Sequence, residues 1–186
     1  MGVRAGCWLL ALTALLAACS SEEPTGALPP VPSQSPVTTP SILPSLIIPS
    51  DAQADNQAGA SAFVRYYLSE VNRGYQNLDP RRISDVSAAS CNSCSNITQD
   101  IERLRASKLT VPGLRFRLSS AEASPPQEDG RVLVDFRYSG DPYVEVDASG
   151  QSNPVEPPAV DQDAQAVLRW DQTRWSLLGL RLVGVN

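Results

Sequence analysis

The chain has 186 residues, with 15 Lys and Arg against 20 Asp and Glu, four Cys, sixteen Pro and no His. Without His, Ser-His-Asp and Cys-His catalysis and His-based zinc or iron sites are excluded. A formal net charge of −5 argues against nucleic acid or an anionic membrane surface as an electrostatic partner, and the length permits one ordinary domain and little more.

The first segment, Met1 to Cys19, has one early positive charge at Arg4, then an uncharged apolar run from Ala5 to Ala18, then a cysteine. A charged start, a short apolar centre and small residues at a cleavage point describe an export signal too short to span a bilayer comfortably. Leu16-Ala17-Ala18-Cys19 resembles the lipobox of bacterial lipoproteins. That resemblance implies that residues 1–18 are removed and that Cys19 carries a diacylglyceryl group, holding the protein on the extracytoplasmic face of the cell membrane. Two buried acyl chains, at roughly 0.8 kcal/mol per methylene, anchor a protein stably where one would tether it only transiently. An ordinary secretory signal cut near Ala18, leaving a free Cys19, is the alternative.

Ser20 to Ser50 holds eight prolines, at positions 24, 29, 30, 32, 36, 40, 44 and 49, and charges only at Glu22 and Glu23. Proline fixes φ and removes a donor, so residues 19–50 read as an extended tether with a reach on the order of 90 Å. Ile42-Leu43 and Leu46-Ile47-Ile48 are too apolar for a pure spacer, and the last ten residues of the tether are expected to pack on the domain that follows.

The folded part is expected over residues 51–186. From Ala58 to Leu78, Ala60, Phe63, Val64, Tyr67, Leu68, Val71, Tyr75 and Leu78 recur at three- and four-residue steps, one apolar stripe of a helix, with Arg65, Tyr66, Ser69, Glu70, Asn72 and Arg73 on its other sides. Asp79-Pro80 closes it and opens a short second helix through Ile83 and Val86. Ile97, Ile101 and Leu104 predict a third from about Ser95 to Ser107.

After Pro112-Gly113 the period shortens to two. Leu114, Phe116 and Leu118 alternate with Arg115 and Arg117, Val132 to Tyr138 alternates with Leu133, Asp135 and Arg137, and Val144 and Val146 with Glu145 and Asp147. Ser124 to Gly130, Ser139 to Pro142 and Ser149 to Pro158 read as turns. The last hairpin pairs Ala164–Trp170 with Arg174–Leu182 across Asp171-Gln172-Thr173. Strict alternation would split Trp175 and Leu177 from Leu180 and Leu182, so a bulge is expected at Leu178-Gly179.

Helices followed by an antiparallel meander ending in a Trp-bearing hairpin resemble the α+β cone of the NTF2-like/SnoaL-like superfamily. The resemblance rests on Phe63-Val64-Arg65-Tyr66-Tyr67-Leu68 and Leu168-Arg169-Trp170-Asp171-Gln172-Thr173-Arg174-Trp175. With Cys91-Asn92-Ser93-Cys94 and the lipobox, the whole resembles an uncharacterised family of actinobacterial lipoproteins classed as a domain of unknown function. Fourteen Arg against the single Lys108 fit a high-GC genome. The superfamily hosts isomerases, dehydratases and non-catalytic binding modules, so the fold does not choose among them.

In an exported chain a Cys91–Cys94 disulfide is the first reading, restraining the unfolded chain by roughly 2 kcal/mol. A zinc site lacks ligands, a thioredoxin-like redox pair would need a preceding strand, and reduced, inert cysteines complete the alternatives. Asp135 shares a strand face with Leu133 and Arg137 and reads as a solvent-side partner of Arg, not a catalytic acid. Asp161-Gln162-Asp163 reads as solvated charge. Tyr67, Tyr138, Trp170 and Trp175 are candidates to line an apolar pocket, with ordinary core packing as the alternative.

The leading expectation is therefore a lipid-anchored envelope protein whose domain binds an envelope protein or an apolar small molecule. No catalytic residue, metal or cofactor is expected. A SnoaL-like enzyme and a structural envelope component are the alternatives.

Overall fold

The computed structural model describes residues 46–155 and 161–183. Cys19 and the proline-rich segment as far as residue 45 lie outside the described residues, which belong to a unit spanning Ile42–Asn186. Leu46 and Ile48 lie partly buried against the core, and Ile47 between them is 86% exposed. The end of the segment read as tether is thus built into the fold by the alternation of its aliphatic residues.

A 3-10 turn, Ser50–Gln53, leads into helix α1, Gln57–Asn77. Asn56 caps α1, its side chain accepting from the Gly59 backbone N–H at 2.8 Å. The apolar stripe is buried as its spacing requires: Ala60, Phe63, Val64, Tyr67 and Val71 are at most 3% exposed. At Gly59 the preceding chain crosses so close that a Cβ would fall 1.9 Å from the Ala54 carbonyl oxygen. That carbonyl accepts from Trp175 Nε1 at 2.9 Å, so glycine here lets the helix start dock on the far end of the sheet.

Helix α2 is one turn, Arg81–Ser84, and α3 spans Asn92–Ala106. The third helix begins earlier than its apolar spacing suggests, because Cys91 serves as its N-cap, with Cys91 Sγ facing the Cys94 N–H at 3.2 Å. Cysteine is not a usual cap, and the sequence signal is correspondingly absent.

Strands β1 (Phe116–Ala123), β2 (Arg131–Gly140), β5 (Gln162–Trp170) and β6 (Trp175–Leu182) form an antiparallel sheet in the order β1-β2-β5-β6. Strand β3 (Val144–Val146), where alternation predicts a strand, pairs with β4 (Ser152–Pro154), which lies in a region read as turn; they form a separate hairpin tied to the chain after α3 by the Thr110–Val146 bridge. Together these elements make the α+β cone, with helices on the concave face of a curved antiparallel sheet.

Both edge strands are bulged. On β6, Val167 pairs with Gly179 and Leu168 with Leu177, leaving Leu178 as the extra residue where a bulge is expected. On β1 the register shifts between Leu118 and Ser120, leaving Ser119 extra. Each bulge returns apolar residues to the inner face: Leu180 after Leu177, and Ala121 and Ala123 after Leu118.

The edges are occupied by side chains and by a short extended segment, which is how sheets avoid pairing with other chains. On β1, Asn72 of α1 forms two bonds to one residue, accepting from the Phe116 N–H at 2.8 Å and donating to the Phe116 carbonyl at 2.9 Å. On β6, Leu177 pairs with Val86–Ala88, donating to the Val86 carbonyl and accepting from the Ala88 N–H. An Asn72→Ala variant leaves both Phe116 groups without their partner and is expected to lose about 2 kcal/mol. Urea unfolding followed by Trp fluorescence measures it, and an unchanged midpoint would remove the structural role given to Asn72.

Candidate functional site

Between α1, α3 and the inner face of the sheet lies an apolar cavity of about 300 Å³. Its construction follows from periodicity. Tyr67, Val71 and Tyr75 enter from α1 at four-residue steps, Phe136 and Tyr138 from β2 at a two-residue step, and Leu180 and Leu182 from β6 beyond the bulge. Ser93 and Ile97 of α3 close one side. Leu182 and the adjoining Val183 are about half exposed, 50% and 48%, and make an apolar lip.

Tyr67 and Tyr138, two of the four aromatic candidates, line this cavity. Trp170 and Trp175 do not. They are a cross-strand pair at the opposite end of the β5–β6 hairpin, with ring centroids 5.3 Å apart, and Trp175 is fixed by its bond to Ala54. The hairpin carries the two indoles to the end of the sheet where α1 begins, away from the cavity.

The polar residues of the lining are Ser93, Asn96 and Arg181, beside the tyrosines. Tyr75 Oη donates to Asp100 Oδ2 at 3.0 Å, and Arg103 bridges Asp100 Oδ1 at 2.8 Å and Glu145 Oε1 at 2.6 Å. Burial, reinforced by Asp100, pushes the Tyr75 phenol far above its ordinary value of 10.0, and burial raises Tyr67 and Tyr138 as well. These phenols are therefore neutral hydrogen-bonding groups at physiological pH. Among the described residues that line the cavity there is no carboxylate.

A raised tyrosine pKa has a definite consequence for stability. The folded state holds these protons more tightly than the unfolded chain, so their contribution is fully present below pH 10.0 and is lost as pH rises through the folded values. For Tyr66, pushed up to about 12 first by burial and then by Glu70, the window lies between those two values. Urea midpoints are expected to hold between pH 8 and 9.5 and to fall above pH 10. A midpoint flat to pH 11.5 would contradict the burial of these phenols.

Asp135 is exposed on the outer face as its alternation requires, but its partner is not an arginine. The register sets it opposite Gln165, whose Nε2 donates to Asp135 Oδ1 at 2.6 Å, and sets Arg137 opposite Asp163, which it meets at 2.7 and 2.8 Å. Asp163, within the acidic triplet read as solvated, is thus half of a surface ion pair. Glu22-Glu23 lie outside the described residues.

Two features had no clear sequence signal. Glu70, on a side of α1 away from the apolar stripe, is 0% exposed, with Arg73 Nη1 at 2.6 Å and Arg82 Nη1 at 2.9 Å. The cause is α2, which folds back over α1 and brings Arg82 onto it; this cluster stands apart from the cavity lining. The second is Ser93, whose Oγ accepts from the Leu180 N–H at 2.8 Å and so joins α3 to the bulged strand. Cys91 and Cys94 on either side of it form a disulfide.

No curated protein matches the chain. Among solved structures, the intermembrane space region of the chloroplast protein ARC6 is similar at 10% identity and a TM-score of 0.51, covering 69% of this chain and 97% of that one. An NTF2-like protein of unknown function in nutrient uptake from Rhodospirillum rubrum is similar at 15% identity and a TM-score of 0.39, covering 66% and 98%. An NTF2-like protein from Cytophaga hutchinsonii is similar at 11% identity and a TM-score of 0.42, covering 70% and 99%. A family model described as a family of unknown function, DUF6318, matches residues 43–181, which takes in the helices, nearly all of the sheet and every cavity-lining residue but Leu182, and the chain belongs to that family.

Proposed function

We propose that this protein is a lipid-anchored cell-envelope protein whose domain holds a small apolar ligand, without chemistry, in the cavity between α1, α3 and the sheet. The observation that carries the reading is the cavity itself: about 300 Å³, walled mainly by Tyr, Phe, Val, Ile and Leu side chains, with Ser93, Asn96 and Arg181 as its few polar groups and exposed Leu182 at its rim. Apolar pockets of this size with few convergent polar groups suit small hydrophobic molecules. General acid–base catalysis calls for a titratable group poised near neutral pH, and the phenols here are raised instead.

The anchoring half of the proposal rests on Leu16-Ala17-Ala18-Cys19 and on the Cys91–Cys94 disulfide, which suits an oxidising compartment outside the cytoplasm. Removing the thiol removes the acceptor for the lipid, so Cys19→Ala is expected to move the protein from the detergent phase to the aqueous phase in Triton X-114 partitioning. Equal partitioning of wild type and variant would refute the anchor. For the cavity, a neutral apolar fluorophore such as N-phenyl-1-naphthylamine is expected to bind saturably with one site per chain. Linear, non-saturating fluorescence would refute it, leaving the structural envelope role.

A further inference from the structure

We propose that the Cys91–Cys94 disulfide is a reversible redox switch that sets the affinity of the cavity for its apolar ligand. The inference rests on the cavity reading above and adds its regulation.

Three placements carry it. First, the disulfide sits where α3 begins, with Cys91 Sγ facing the Cys94 N–H at 3.2 Å, a position that stabilises a Cys91 thiolate as a leaving group. Second, Cys91 and Cys94, 2% and 3% exposed, line a groove of about 360 Å³ whose other walls are Ser84, Ser87, Ala88, Ala89, Ser95 and Thr98. With both cysteines this buried, an incoming thiol reaches the sulfurs through a local opening of the first turn of α3, which the small side chains of the groove leave room for.

Third, the disulfide loop is wired to the cavity. Ser93 lies between the two cysteines, its Oγ 3.4 Å from Cys91 Sγ, and accepts from the Leu180 N–H at 2.8 Å; both Ser93 and Leu180 line the cavity. Pairing between β6 and Val86–Ala88 involves Leu177, and Leu178 bulges after it, so the Ser93 bond is the next tie along that edge. Closing the disulfide holds Ser93 on Leu180 and Leu180 in the wall. Opening it frees the first turn of α3, and the wall with it.

The exchange balances with a dithiol as co-reactant. Its thiolate attacks Cys94 Sγ, a mixed disulfide forms and Cys91 leaves as thiolate. The second thiol of the reagent then displaces Cys94, and the reagent departs as a disulfide, so two electrons and two protons pass to Cys91 and Cys94.

The test uses the purified mature chain with dithiothreitol as the dithiol and N-phenyl-1-naphthylamine as the probe. Reduction is expected to weaken binding about three- to tenfold, the worth of one lost hydrogen bond, and to be reversed when the dithiol is removed and a small-molecule disulfide is added, which takes up the two electrons and two protons as it is reduced to thiols. Ser93→Ala with the disulfide intact is expected to weaken binding similarly and to make it insensitive to dithiothreitol. Amide exchange at Leu180, read by NMR without any ligand, is expected to accelerate on reduction. Equal probe affinity in both redox states, or thiols that react only when the whole domain unfolds, would overturn the switch. If the probe binds neither state, the cavity reading fails and the switch of its affinity fails with it. Accelerated Leu180 exchange would then show that the Ser93 link is real but serves no binding site, which separates the two failures.

Discussion

A Gly59→Ala variant is expected to be destabilised on the order of 3 kcal/mol or more. The added Cβ would sit 1.9 Å from the Ala54 carbonyl oxygen and 2.8 Å from its carbon, and neither is the far end of a flexible side chain. The Ala54 segment must move, and with it the acceptor of Trp175 Nε1 and of the Asn56 N–H. The expected signature in urea unfolding is a lower midpoint with an unchanged slope, together with a shift in Trp fluorescence. A midpoint within about 0.5 kcal/mol of wild type would contradict the close approach at this glycine.

Replacing Glu70 by Ala is expected to cost about 3 kcal/mol. The carboxylate is wholly buried and is the partner of two guanidinium groups, one of which, Arg82, is only 20% exposed. Removing one member of a buried pair strands the other, which is why such losses run larger than the net worth of the pair. Arg73, 55% exposed, can turn to water, which keeps the cost at the lower end. Replacing both Glu70 and Arg82 by Leu is expected to recover much of the loss, because neither charge then needs a partner. Full additivity of the two single losses in the double variant would contradict the coupling.

Glu70 also shows where sequence reading stopped. The stripe from Ala60 to Leu78 located the core face of α1 because eight apolar residues share one period. Nothing in that period announces that α2 will fold over the opposite flank and bury a carboxylate there. Burial on that flank is a tertiary event, legible only once Arg82 is seen to reach Glu70.

The two bulges make the same point within one sheet. The bulge at Leu178 was legible because Trp175 and Leu177 fall out of phase with Leu180 and Leu182, and all four are large. The bulge at Ser119 has the same change of parity, carried by Leu118 against Ala121 and Ala123, and alanine is too small to mark a buried face. For the cavity, helical spacing put Tyr67 on the core face of α1 and alternation put Tyr138 with the apolar side of its strand. Neither could say which end of the inner face stays open, since that depends on α1 docking its first turn against Trp175 and leaving space beside Tyr75 and Tyr138. The Ser93–Leu180 bond joins residues 87 positions apart and leaves no local trace.

The claim that the cavity between α1, α3 and the sheet receives an apolar ligand is tested most directly by NMR. Intermolecular nuclear Overhauser effects would be measured from bound N-phenyl-1-naphthylamine to the methyl groups of the oxidised protein. The account predicts contacts to Val71, Ile97 and Leu180, which wall the cavity. Contacts confined to the exposed methyls of Ile47 or Val144 would contradict it.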